Sequence, residues 1–466
     1  MQLYNTLSRK TETLTPINPP AVSLYTCGIT AYDYPHVGNW FAYVRWDTLV
    51  RTIKASDYDL TWVMNITDVG HLVSDADEGE DKLEKGARRE GKSAWDIAQF
   101  YTDYFIEGMK RLHMMLPDYL PRATEHITEQ IELIQKLEEK GFTYVIDDGV
   151  YYDTAKFPRY ADFARLDLEE LQSGARVEHN SQKRNASDFA LWKFSPKGTR
   201  RDMEWESPWG LGFPGWHIEC SAMSMKYLGE TLDIHAGGID HIPVHHTNEI
   251  AQSEAVTGKP LAHIWLHSNH ITVNGDKISK SLNNGITLED IEGKGVPLAA
   301  LRLHVLESHY RSQSKFSWES LVAAQNRLQG LYDIAVLRWQ RQMIDRNNSD
   351  YLHEQADAIL AAMQDDLNSP QALALLSATQ NRLENDLVSA SEWEAFEHLL
   401  TQLDGLFGLG LMDQPDITAE QKQLIADRSA AREAKDWATS DHIRDQLADA
   451  GITIRDTAHG PIWSHV

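Results

Sequence analysis

Only two of the 466 residues are cysteine, Cys27 and Cys220, 193 positions apart, which excludes a disulfide framework. No run approaches the ~18 consecutive apolar residues of a membrane-spanning helix. The opening stretch, MQLYNTLSRKTETLTP, lacks the uninterrupted apolar core of a secretory signal. Positive charge is scarce, with 44 Lys and Arg against 69 Asp and Glu for a net charge of −25. That balance excludes broad, non-specific nucleic-acid binding, which depends on clustered cations. It leaves room for a protein that offers a few basic side chains to a folded RNA. Internal repeats and low-complexity tracts are also missing. What remains is an ordinary globular composition, 42% hydrophobic with interspersed charge, long enough for roughly two to four domains. A cytoplasmic protein is expected.

The first half alternates strand and helix patterns. Val22 to Thr26 alternates like a short strand and runs into Cys27-Gly28. His36-Val37-Gly38-Asn39 then precedes a helical pattern with Ala42, Trp46, Leu49, Val50 and Ile53 on one side. Leu60 to Ile66, Thr231 to Ile234 and His263 to His267 read as further strands, and glycines and polar residues collect just after them. Ligands bind at that edge of an open α/β sheet, so the expectation is a doubly wound parallel sheet with its site there. Between its halves (1–115 and 207–270) lies an insertion, 116–206. It opens on a helix carrying Ile127, Ile131, Ile134 and Leu137 on one face and stopped by Gly141. After a loop region, 271–316, the strand signal disappears. Leu321 to Trp339, Tyr351 to Asp366, Gln371 to Val388 and Ser391 to Leu406 predict a helical bundle over 317–410, with Pro370 in a first turn. A Gly- and Pro-containing break, Gly405 to Pro415, sets off a small module, 416–466.

Three constellations carry chemistry. His36-Val37-Gly38-Asn39 feeds a helix N-terminus, where free N–H groups and the helix dipole favour a phosphate; alone, the tetrapeptide is a common turn. Lys277-Ile278-Ser279-Lys280-Ser281 follows the turn sequence Asn274-Gly275-Asp276. Its two ammonium groups suit a leaving pyrophosphate, although by itself the pentapeptide reads as a solvated basic turn. His245 and Glu249, at i and i+4, share a helix face as either a surface ion pair or two metal ligands. With Cys27 and Cys220 they make a plausible Zn²⁺ donor set, spaced too widely for a zinc ribbon.

The first two elements, in this order, resemble the signatures of class I aminoacyl-tRNA synthetases. GWHIECSAM, HAGGIDH, HHTNEIAQ, NITD, DFALWK, SPWG, KISKS and HYRS, from about Tyr4 to Trp463, resemble segments of the cysteinyl-tRNA synthetase family in the family's order. The resemblance implies a Rossmann-type sheet with an inserted subdomain, a helical bundle and a C-terminal anticodon-reading module. It implies one Zn²⁺ on Cys27, Cys220, His245 and Glu249 that takes the thiolate of substrate L-cysteine, with Trp216 and His235 as pocket walls and Gly28 and Thr67 beside them. Gly238 and Asp240 are implied at the adenosine ribose. His36, Asn39, Lys277 and Lys280 are implied as stabilisers of phosphate charge in the reaction of Mg²⁺-bound ATP. The 271–316 region carries the KISKS loop and is implied to contact the tRNA stem. Arg432, Arg444 and Trp463 are candidate contacts to cysteine tRNA, Trp463 as a base-stacking platform or as a core anchor. From Leu424 to Val466 there are five Lys and Arg against seven Asp and Glu, so recognition there should rest on individual hydrogen bonds and stacking. A monomer is the simplest expectation.

The sequence departs from that pattern in places. Asn39 ends the first signature where histidine is usual, a form also found in the family. Phe41 and Phe213 stand where basic residues are often found, and the run Asp75 to Asp81 is an acidic enlargement without a functional reading. Three other readings remain: a cysteine:amino-sugar ligase, which would lack the terminal module; a catalytically idle RNA-binding or regulatory paralogue, which would have broken signatures; and a nucleotidyltransferase, which needs no zinc set.

Overall fold

In the computed structural model, residues 1–70, 82–166, 181–196, 198, 201–278, 284–342, 344 and 350–465 are described. A hairpin, β1 (Gln2–Asn5) and β2 (Lys10–Thr13), precedes the main sheet. That sheet is built from β3 (Ala21–Thr30), β4 (Asp59–Thr67), β9 (Leu232–Gly238) and β10 (Ala262–Ser268). They lie in the order β10–β9–β3–β4, and every pairing is parallel. β9 is buried almost throughout, as a strand covered on both faces must be. The chain leaves β3 in one direction to make β4 and returns on the other side as β9. The gap between β3 and β9 is therefore the switch point where such sheets bind ligands.

Helix α1 (Val37–Ala55) joins β3 to β4 and is buried along most of its length by Val37, Trp40, Val44, Leu49 and Ile53. After β4 come α2 (Lys82–Glu90) and α3 (Ala94–Arg111). The insertion pairs α4 (Ile127–Glu139) with four antiparallel strands, β5 (Thr143–Ile146), β6 (Gly149–Tyr152), β7 (Phe189–Phe194) and β8 (Gly212–Pro214). Gly141, at φ 77°, follows α4 in the conformation that terminates helices. The insertion's core joins Leu133, Ile134 and Leu137 to Tyr152, Phe189 and Trp192, and continues into Ile218 and Met223 of α5 (Trp216–Leu228). Because β8 pairs with β7, this sheet runs on past Glu206, where the sequence pattern seemed to end it. The composition changes there, but the hydrogen bonding does not. His235 to Gly238, which the sequence pattern puts just after the strand, belong to β9 itself.

The chain divides into two compact units. One comprises Met1–Thr272, Asp276–Leu288 and Tyr310–Ser314, and the other Val273–Gly275, Glu289–His309 and Lys315–Val466. The second unit holds helices Trp318–Ala335, Tyr351–Gln364, Ser369–Asp386 and Trp393–Phe407, then Ala419–Glu433, Trp437–Asp449 and an antiparallel hairpin, Ile452–Thr457 with Gly460–His465. Pro370 occupies the first turn of its helix, where its missing N–H is harmless. The stretch from Gly405 to Pro415 is more than a linker. Asp404 accepts from the N–H groups of Gly410, Leu411 and Met412, and Arg338 donates to the carbonyls of Met412 and Gln414. Val336 packs in the same core as Ile417, Ile443, Leu447, Ile452 and Trp463, so the last fifty residues share their core with the bundle. Among the described residues, no helix is long and apolar enough to cross a membrane.

Candidate metal centre and nucleotide site

The β3–β4 register runs Thr26 opposite Met64 and resumes at Ile29 opposite Ile66. Two residues, Cys27 and Gly28, thus face one, Asn65. Such a bulge re-aims side chains at a strand end. Asn65 Oδ1 accepts from the Gly28 N–H at 2.9 Å, and a Cβ on residue 28 would fall 1.8 Å from the Asn65 carbonyl oxygen. Only glycine fits.

Cys220 comes from the second turn of α5, which starts immediately after Gly215. His245 lies in a π-helical turn, Ile242–His246, that runs into α6 (Thr247–Thr257), which carries Glu249. Ligand atoms of Cys27, Cys220, His245 and Glu249 all lie within 4.8 Å of one another, and all four residues are buried. His245 Nε2 is 2.9 Å from Glu249 Oε1, while His217 Nδ1 holds His245 Nδ1 at 2.9 Å. His235 Nε2 lies 2.8 Å from the other Glu249 oxygen.

Electrostatics bear on what can bind here. Burial pushes the Glu249 carboxyl up, but His235 and His245 outweigh it and hold the group well below the usual carboxylate range. His245 is likewise opposed by burial, yet Glu249 and Cys220 raise it to about 10. The hydrogen bond from Cys27 lowers Cys220 to about 7, against burial. Cys27 is pushed up by that same hydrogen bond, by burial and by the charges of Cys220 and Glu249. Two sulfurs and a carboxylate crowd a small buried volume bordered by the His235 and His245 rings. Glu249 Oε1 accepts no well-aligned hydrogen bond although buried. The donor set fits a borderline-soft dication held by S, S, N and O.

Around it stand histidines that the sequence reading passed over. His246 Nε2 contacts Cys27 Sγ at 3.2 Å, His246 Nδ1 meets His267 Nε2 at 2.8 Å, and His267 Nδ1 meets Thr6 Oγ1 at 2.8 Å. Burial, then neighbouring imidazoles, keep His246 well below its ordinary value, and burial with His245 lowers His241 to about 4. The signal was the density of histidine between 217 and 267, which spacing alone does not assign to partners. His235 is stacked on Trp265 at 4.5 Å, and half-buried Trp216 lies 4.8 Å from the His245 ring. Thr67, at the end of β4, donates to Glu219 at 2.9 Å. Gly238 closes β9, and Asp240 is exposed in the short turn after it.

The first signature folds differently from the expectation of free N–H groups. His36 is the N-cap of α1: its Nδ1 accepts from Gly38 N–H at 3.1 Å, and Asn39 Oδ1 accepts from His36 N–H. Val37 N–H is taken by the Ile286 carbonyl. The backbone donors of this turn are therefore engaged. With Nδ1 an acceptor, the neutral ring carries its proton on Nε2. Gly38 is pressed by Ile278, since a Cβ there would lie 2.9 Å from the Ile278 Cδ1, so the two signatures approach each other. Lys277 is exposed; Lys280 and the run Asp75 to Asp81 lie outside the described residues. Both phenylalanines that replace expected basic residues carry an arginine: Arg45 stands 5.8 Å over buried Phe41, and Arg201 3.8 Å over Phe213 while donating to the Gly70 carbonyl.

In the C-terminal module Arg444 is exposed, and Arg432 lies 3.4 Å from Asp456 and 5.7 Å over Trp437. Trp463 is a correction. Only 6% exposed, it packs against Val336, Ile443 and Leu447, and its backbone exchanges hydrogen bonds with Gln340. Its ring is a core anchor and is closed to a stacking base. Trp437, 56% exposed, is the open aromatic.

Residues 13–326 match the family model for the class I (C) tRNA synthetase catalytic domain, 358–412 a DALR domain, and 414–463 the cysteinyl-tRNA ligase anticodon binding domain. The chain is 42% identical to the cysteine–tRNA ligase of Treponema denticola over 99% of both chains. It is 45% identical to cysteine–tRNA ligase 1 of Burkholderia lata over 99% of this chain and 96% of that one. Among solved structures it resembles the Mycobacterium tuberculosis methionyl-tRNA synthetase in complex with methionyl-adenylate, with a TM-score of 0.61 at 14% identity over 84% of this chain and 93% of the other, a likeness of fold. The parallel sheet with its site at the β3–β9 switch point and these full-length matches lead to one assignment: this chain belongs to the cysteine–tRNA ligase family of class I aminoacyl-tRNA synthetases.

Proposed function

We propose that the chain activates L-cysteine with Mg²⁺-bound ATP and transfers it to the 3′-terminal adenosine of cysteine tRNA, using one Zn²⁺ held by Cys27, Cys220, His245 and Glu249. The observation that carries the reading is the convergence of these four buried donors within 4.8 Å at the sheet's ligand-binding edge. A zinc ion there supplies a further coordination position for the thiolate of the substrate. Serine is rejected because its hydroxyl is a far poorer zinc ligand near neutral pH, so the site needs no second, hydrolytic pocket.

The chain's own residues do the rest. Trp216 and the His235–Trp265 stack wall the amino-acid pocket, Gly28 opens it, and the Thr67–Glu219 hydrogen bond fixes its floor. Asp240, beside Gly238, accepts from the ribose. As the cysteine carboxylate attacks the α-phosphate, pyrophosphate leaves with growing negative charge. His36 donates through Nε2 while Asn39 holds that ring's backbone, and the ammonium charges of Lys277 and Lys280 offset the charge of the leaving group. Because the backbone donors of the α1 turn are engaged, side chains supply most of this stabilisation. In the terminal module Arg432, Arg444 and Trp437 meet unpaired bases of the tRNA.

The experiment is cysteine- and serine-dependent ATP–pyrophosphate exchange with zinc analysis of the purified protein. Exchange with cysteine alone and about one zinc per chain is expected for a single four-donor site. Bound zinc without exchange would mark an idle paralogue and overturn the reading.

A further inference from the structure

Cys27 lies on the border of two donor sets. Its sulfur, a nitrogen of His241 and a nitrogen of His246 also lie within 4.8 Å of one another. Two independent observations point to a ligand among them. Nδ1 of His241 is a buried polar atom with no hydrogen-bond partner, a state that native proteins seldom leave unexplained. Gly237 supplies the second: a Cβ there would sit 2.8 Å from both His241 Nδ1 and His246 Nε2, so the bare glycine is what lets both nitrogens converge beside β9. His241 is only half-buried, whereas Cys27, Cys220, His245, His246 and Glu249 are all buried. This second set is the more solvent-accessible of the two.

A thiolate with two imidazoles suits a borderline-soft divalent ion and leaves one position for water. We propose that Cys27, His241 and His246 form a second metal position, sharing Cys27 with the first, in which an entering Zn²⁺ is held before it passes inward. This rests on the zinc reading above. The two positions share the single Cys27 sulfur and are taken as alternative stations for one ion. Passage is a ligand exchange with no redox partner. Cys27 gives up its thiol proton to solvent on first contact and keeps its bond to the ion. His241 and His246 are then exchanged for Cys220, His245 and Glu249, with Cys220 and His245 releasing their protons to solvent as they bind.

The test uses full-length protein stripped of metal, with Co²⁺ as the probe and its ligand-field and thiolate-to-metal absorption followed by stopped flow. His241→Phe and His241→Gln should slow loading about tenfold, the low end of the loss in metal affinity when a supporting group is removed. Both variants should reach the same final two-thiolate spectrum as the parent, which also establishes that they are folded. A Cys220→Ser/Glu249→Ala variant should still take up Co²⁺ with a one-thiolate band, and adding His241→Phe should abolish it. Parental loading rates in both His241 variants, or no Co²⁺ uptake by the Cys220→Ser/Glu249→Ala variant, overturns the second position. If the parent itself never develops a two-thiolate band, the zinc reading falls with it.

Discussion

Replacing Cys220 by serine preserves the size of a fully buried side chain and removes only the sulfur. Zinc retention and cysteine-dependent exchange should disappear together, because both depend on the same thiolate pair. Metal content by atomic spectroscopy alongside exchange rates checks this, and an unchanged zinc content would remove Cys220 from the ligand set. A pH dependence follows from the same residues. Cys27 is raised, Cys220 is lowered only to about 7, and His245 is raised to about 10. Each must lose a proton to bind metal, so zinc affinity should rise steadily between about pH 6 and pH 8. Chelator competition across that range measures it. In metal-free protein the sign for His245 is opposite. Its folded value exceeds the unfolded one, so its contribution to stability is full below the unfolded value of about 6.5. That contribution is lost as the pH rises through about 10.

At the scale of the element, the bulge in β3 is the feature on which the site turns. Gly28→Ala places a methyl 1.8 Å from the Asn65 carbonyl oxygen, so strand β3 or β4 must shift. A destabilisation of about 1–3 kcal/mol is expected from forced overpacking, with weakened zinc retention as Cys27 is re-aimed. Urea unfolding and metal analysis check the two effects, and a fully stable, zinc-loaded variant would contradict this account of the bulge. The sequence reading reached the strand ends, the His245–Glu249 pair and the two signatures because each is a local pattern. It missed His246, His267 and His241, whose partners come from other elements. It left Trp463 open between a stacking platform and a core anchor, and did not single out Trp437, because hydrophobic pattern does not tell a buried indole from an open one in a short module. It expected free N–H groups after His36 because a four-residue motif does not reveal that its own histidine and asparagine cap the helix.

For the whole molecule, the division into two units makes a prediction. The four metal donors and His36 all belong to the first unit, and Trp437 to the second. Removing residues 416–466 should leave cysteine-dependent exchange largely intact and sharply weaken tRNA charging. It should also lower the stability of the remaining bundle, because Val336 loses Ile417, Leu447 and Trp463 as core partners. Exchange, charging and thermal unfolding of the truncated protein test this, and equal loss of exchange and charging would contradict it. With a net charge of −25, the proposed RNA contacts must come from a few placed side chains rather than from a broad basic surface.

The donors of the first metal set come from β3, α5, the turn into α6 and α6 itself, so the cage exists only once β3 has found β9 and the insertion has been bridged. An ion held there closes a loop from Cys27 to Cys220 far longer than local structure could close, and it restrains the unfolded chain much as a cross-link does. Capture by all four donors therefore requires the assembled sheet. A chain with a misregistered sheet should lose the proposed zinc, and retention of the ion would report that the catalytic unit has folded.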